Sequence, residues 1–150
     1  MRKFIALVTF FFVTAFVVTA QSSERVSEII SADYVSNAQV AYLAASYKNL
    51  TGDNPANEDL YKVLNENGFS LDIEKADEKA DLQSVCYVFA KATDLKGGIC
   101  YSLFKSPRYA LRELKANGII PSKSDPSMKI SGRQTISILK SCIELSGGNK

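Results

Sequence analysis

The chain contains no histidine and no tryptophan, and its 150 residues include only 3 cysteines, 4 prolines and 2 methionines. Without histidine, no Ser-His or Cys-His nucleophile can be assembled. The same absence, with no Cys-x-x-Cys spacing among Cys86, Cys100 and Cys142, removes the usual zinc ligand sets. The acids Glu74, Asp77, Glu78 and Asp81 fall together, but a calcium loop needs a tight glycine turn, and no glycine lies among them. They read as a solvated loop. No carboxylate pair stands out for glycoside cleavage, whose geometry is spatial rather than sequential. The expectation is a non-enzymatic protein with no cofactor and no metal.

An excess of charge is also missing. Arg2 and Lys3 are the only charged residues of the first twenty, so without that stretch acidic and basic residues balance and the formal charge falls from +2 to zero. A neutral chain with no basic block lacks the footprint of a nucleic-acid binder. The apolar run Phe4–Val18 is too short for a confident membrane span. With Arg2-Lys3 before it and Val18-Thr19-Ala20 after it, it reads as a signal peptide over 1–20. This predicts an exported protein of the bacterial periplasm or envelope, with no membrane span after cleavage. The odd cysteine count leaves at least one thiol unpaired or intermolecular. Cys86 and Cys142 lie in apolar helical patterns, and Cys100 in a linker from which a bridge to either is conceivable in an oxidising compartment.

What is present is an internal repeat. Sliding 106–148 back by fifty residues sets Leu114 on Leu64, Asn117-Gly118 on Asn67-Gly68, Lys129 on Lys79, Leu145 on Leu95 and Gly147-Gly148 on Gly97-Gly98. A shift of forty-five sets Val85, Tyr87, Ala90 and Leu95 on Val40, Tyr42, Ala45 and Leu50. The reading is about two and a half units in one domain over 21–148: a half-unit 22–53, unit one 54–98 and unit two 99–148.

Each unit reads as a helix, a glycine stop, an apolar crossing, a polar loop and a second helix, so the fold class is all-α helix-loop-helix. A short helix with Val26, Ile29 and Ile30 precedes a stronger one over 34–50, whose face is Ala38, Ala41, Tyr42 and Ala45. Asn54-Pro55 and Ser106-Pro107 read as cap-plus-proline starts. Asn67-Gly68, Asn117-Gly118 and Gly97-Gly98 read as helix stops. Leu82, Val85, Cys86, Phe89 and Ala92 form one inward stripe, and Ile136, Leu139, Cys142 and Ile143 another. Ser131 and Gln134 have capping-box spacing. The apolar link 99–105 is expected to be a tight helical piece packed on the core.

The order of these signals resembles the S-layer homology repeat. Tyr109-Ala110 through Leu114, Gly118-Ile119-Ile120 and Ile130-Ser131-Gly132-Arg133-Gln134 stand where that family has its opening helix, its Gly-Ile turn and its Ile-Thr-Arg-Ala-Glu box. The arginine is displaced by one position, and Ala80-Asp81-Leu82-Gln83 replaces the box in unit one. The stretch 106–121 is also similar to small exported proteins of spirochaetes. The resemblance implies an all-α envelope module that holds an anionic cell-wall polymer through box arginines.

Arg108, Arg112, Lys115 and Arg133 are the candidate ligand-binding residues. Arg112 and Lys115 are neighbours on one helix surface, and Arg133 opens the next helix, where amides also favour anions. The partner expected is an anionic envelope polymer or an envelope protein. The alternative is a periplasmic carrier with an apolar pocket between units, lined by Phe69–Ile73, Ile119–Pro121 and the 99–105 link.

Overall fold

The computed structural model describes residues 23–52 and 54–147. The expected signal peptide, 1–20, lies outside them. Among the described residues the regular structure is helical: α1 over 23–31, α2 Asn37–Tyr47, α3 Asn57–Glu66, α4 Leu82–Ala92, α5 Ile99–Phe104, α6 Pro107–Ala116 and α7 Gly132–Gly147. A 3-10 turn, Ile73–Lys75, lies between α3 and α4. The fold is all-α, and no helix among the described residues is long and apolar enough to cross a membrane.

Three helices carry side-chain caps at their starts, each from a Ser or Asp whose side-chain oxygen can accept from the first turn. The Ser36 hydroxyl accepts from the Gln39 N–H, and the Gln39 side chain accepts from the Ser36 N–H. The Asp81 carboxylate accepts from Ser84 N–H at 2.8 Å. Ser131 and Gln134 close the expected box, with Ser131 N–H donating to Gln134 Oε1 at 3.0 Å.

The starts of α2, α4 and α7 are tied into a closed ring. Asn37 N–H donates to Glu78 C=O at 3.0 Å and Ala38 N–H to Ala76 C=O at 2.8 Å. The same pair of bonds recurs further along, from Leu82 to Met128 at 2.9 Å and from Gln83 to Pro126 at 3.0 Å. Isolated antiparallel bridges accompany them, Ser36 with Lys79 and Asp81 with Lys129. The third junction joins the ends of the arrangement, through Val35 N–H to Ile130 C=O at 3.1 Å and Gly132 N–H to Ala32 C=O at 2.9 Å. Val35, Ala80 and Ile130 are buried at this ring, and Val40, Val85 and Thr135 are buried one turn into their helices. Thr135 keeps its hydroxyl satisfied by donating to Ser131 C=O at 2.9 Å. Phe69, Leu64 and Leu114 are fully buried in the same core, each such side chain contributing about 1.5–3 kcal/mol of burial.

Gly132 is what lets α1 reach α7. A Cβ there would sit 1.6 Å from the carbonyl oxygen of Ile29, so only glycine admits the close approach. Ile29 itself is fully buried.

Several local expectations are corrected. Gly68 (φ 81°) and Gly118 (φ 73°) do end α3 and α6 in the left-handed region. In α4 that role falls to Asp94 (φ 50°), before Gly97-Gly98, and in α2 to Asn49 (φ 55°). Short polar side chains tolerate this region, so no glycine is required. Pro55 is not a first helical residue, because α3 begins at Asn57 with Ala56 before it. Pro107 is one, although Ser106 makes no side-chain cap bond. The buried stripe of α7 is Gly132, Thr135, Ile138 and Cys142, with Ile136, Leu139 and Ile143 half-covered. The three cysteines are free thiols, Cys86 and Cys142 buried and Cys100 exposed. The link at 99–105 is helical as expected, but only Tyr101 is buried (4% exposed), while Ile99, Leu103 and Phe104 are 80%, 72% and 63% exposed.

Candidate functional site

The basic residues divide by what holds them. Lys115 is half-buried, and its ammonium donates to the Ser124 carbonyl at 2.8 Å. It pins the 121–129 loop to α6 and is committed to the fold. Arg108 and Arg112 are exposed on α6, and Arg133 is exposed in the first turn of α7. The Arg112 guanidinium lies 5.8 Å from the Tyr109 ring, and that ring stacks on Phe104 with centroids 5.2 Å apart.

The acids that could neutralise this face are turned elsewhere. Glu113 accepts from the Gly98 N–H at 2.9 Å and from the Asn117 amide at 3.1 Å. Glu144 lies 3.8 Å from Lys140. Among the described residues Arg108, Arg112 and Arg133 enter no ion pair. The structure brings Arg108 and Arg112 onto one helix. Arg133 is set apart, because α4 packs against both α6 and α7, which share no extended interface.

Between the helices run two hollows at corresponding places. The first, about 210 Å³, is lined by Asn37, Val40, Tyr61, Leu71, Ser84 and Tyr87, among others. The second, about 330 Å³, is lined by Leu82, Ile119, Ile120, Pro121, Met128 and Ile138, with Gln134 and Ser137 at hand. Leu82 stands forty-five residues after Asn37, and Pro121 and Ile138 fifty after Leu71 and Val88. Both hollows are lined mostly by apolar surface, with two tyrosines in the first and aliphatic side chains in the second. Burial pushes the Tyr61 hydroxyl up to about 12, helped by the nearby Asp77 and Asp72 charges, so it is a neutral donor at ordinary pH.

The apolar crossings are used unequally. Leu71 lines the first hollow and Ile119–Pro121 the second. Phe69 is in the core and Ile73 is 40% exposed. The 99–105 link lines neither of the two. Its Tyr101, Ser102 and Lys105 border a separate open hollow of about 550 Å³ with Lys91, Asp94 and Lys96.

Lys96 and Lys105 were not legible as site residues from helix pattern alone. A local charge tally would have found them, since 96–115 holds Lys96, Lys105, Arg108, Arg112 and Lys115 against the single acid Glu113. Tyr61 and Ser84 became legible only when α3 and α4, each packed on α2, were seen to border one hollow. Compared with known proteins, the chain matches no family model, no curated protein and no solved structure.

Proposed function

We propose that the chain is an exported, non-enzymatic helical module of the bacterial envelope or periplasm, built of about two and a half helix-loop-helix units. Its role is to hold an anionic envelope polymer or an envelope protein. The observation that carries this is the set of exposed guanidinium groups, Arg108, Arg112 and Arg133, without a carboxylate partner among the described residues. Unpaired arginines on a chain of otherwise balanced charge favour planar anionic groups, which they can grip bidentately. The unit count is supported by the recurrence of the helix-start bonds of 37–38 at 82–83. The resemblance of 109–134 to the S-layer homology repeat points the same way. Fractionation tests the reading: after detergent removes the membranes, the chain is expected to stay with the sacculi. Recovery as an inert soluble monomer under every extraction condition would count against it.

A second reading, a carrier of a small apolar ligand, is favoured by the hollow of about 330 Å³ lined by Ile119, Ile120, Pro121, Met128 and Ile138. Its scale is that of a small-molecule site. A fluorescent fatty-acid probe that gains no signal at saturating protein would remove it.

A further inference from the structure

We infer that the elbow formed by α5 and the start of α6 docks on an anionic lipid surface. The argument begins with a helix that leaves its apolar side in water. Ile99, Leu103 and Phe104 are 80%, 72% and 63% exposed, and Ile99 and Leu103 stand one helical turn apart on one face. Single exposed apolar residues are ordinary, whereas a cluster of them marks a contact surface. Tyr101 faces the core at 4% exposure, so the helix is anchored from beneath and holds its outer side chains outward.

The charge around this tip says what would cover it. Lys96 and Lys105 border the hollow beside Tyr101 and Ser102. Arg112 lies over Tyr109, which stacks on Phe104, placing a guanidinium next to the apolar tip. Arg108 is exposed in the first turn of α6. Two acids lie near the tip: Glu113 is half-buried and accepts from the Gly98 N–H and the Asn117 amide, while Asp94, which borders the same hollow, is paired with Lys48 at 2.8 Å. Among the described residues Lys96, Lys105, Arg108 and Arg112 enter no ion pair, and an apolar tip rimmed by such cations fits the boundary between acyl chains and anionic headgroups: the side chains enter the former and the cations meet the latter. A protein partner would instead need acids placed opposite each cation. The inference does not rest on polymer binding, since a vesicle contains no polymer and Arg133 takes no part.

Cys100 makes the test local. It is the exposed thiol, beside the buried Cys86 and Cys142, so an environment-sensitive dye reports from α5 itself whatever the rest of the chain does. Vesicles of equal parts phosphatidylglycerol and phosphatidylcholine are compared with pure phosphatidylcholine. A blue shift is expected only on the former, weakened by high salt. Lys96→Glu with Lys105→Glu should weaken it more than tenfold, at roughly fivefold per surface cation. Leu103→Glu, at an exposed position, should abolish it with the melting curve unchanged. Hydrogen exchange of 99–104 on the unlabelled chain should slow on the same anionic vesicles. An equal shift on both vesicles, no shift on either, or a shift that grows with protein concentration alone would overturn the inference, the last pointing to a second copy.

Discussion

The ammonium of Lys129 donates to the backbone carbonyl of Lys79 at 2.9 Å, and the two lysines stand fifty residues apart at corresponding positions. Lys79 in turn lies 4.3 Å over the ring of Tyr34, forty-five residues earlier. Each reaches back to its counterpart, along the ring of backbone bonds that joins the starts of α2, α4 and α7. Four stability predictions follow from that ring, the helix ends and the buried core.

Gly132→Ala should be strongly destabilising, because its Cβ would meet the Ile29 carbonyl oxygen at 1.6 Å, and a backbone atom cannot rotate away. Overpacking of this kind costs about 1–3 kcal/mol. Gly147→Ala, with nothing within 4 Å, serves as control. Denaturant melts should separate the two, and hydrogen exchange should show residues 23–31 loosened in the first variant alone.

Ser36→Ala and Ser131→Ala should each cost about 1 kcal/mol, the usual worth of an N-cap. Ser106→Ala should be near neutral, because Ser106 makes no side-chain cap bond. Equal losses at all three positions would mean that the cap geometry is not what matters.

Gly68→Ala and Gly118→Ala should each lose about 1–2 kcal/mol, the cost of a Cβ in the left-handed region that these residues occupy. Asparagine at either place should recover part of the loss, as Asn49 holds φ 55° in the native chain.

Much of the architecture was legible from such local signals, and its failures have local causes. The paired Asn-Gly stops and the Ser131–Gln134 box act as their chemistry requires. Gly97-Gly98 misled because Asp94 takes the left-handed position first. In α7 Cys142 is buried as expected, but Thr135 and Ile138 are buried where Ile136 and Leu139 were expected, because Gly132 and Thr135 carry no apolar signal and yet sit against α1 and the ring. Ser36 and Gln39 form a capping box that hides inside a stretch that reads as helix throughout. The 99–105 link reads as core in the sequence because composition records apolarity and not direction. For the candidate site, Arg112 and Arg133 were visible as charges, but only the packing of α4 between their helices separates them. That Lys115 is spent on Ser124 could not be read from one helix.

Burial pushes the Cys86 thiol up to about 12, aided by the nearby Cys142, and burial does the same to Cys142. These thiols stay protonated when folded but ionise in the unfolded chain from the ordinary value of 9.0. The unfolded state then binds fewer protons, so stability is fully present below that value and falls as pH rises toward the folded value. Tyr61 and Tyr101, also raised to about 12 chiefly by burial, act in the same direction. Urea melts across this alkaline range should show the decline, shallower in Cys86→Ala. At mild pH a thiol reagent should titrate Cys100 rapidly and the other two only on unfolding. Three equally fast thiols would contradict the packing of α4 and α7.

The most direct measurement is a pull-down of residues 21–150 on purified cell-wall sacculi, with Arg112→Ala and Arg133→Ala beside it. The account predicts salt-sensitive retention that weakens in each variant while the melting curve stays unchanged, since both side chains are exposed and outside the core. Retention indifferent to both arginines, or no retention at low salt, would contradict a polymer-binding face. It would turn the search to a protein partner or a small apolar ligand.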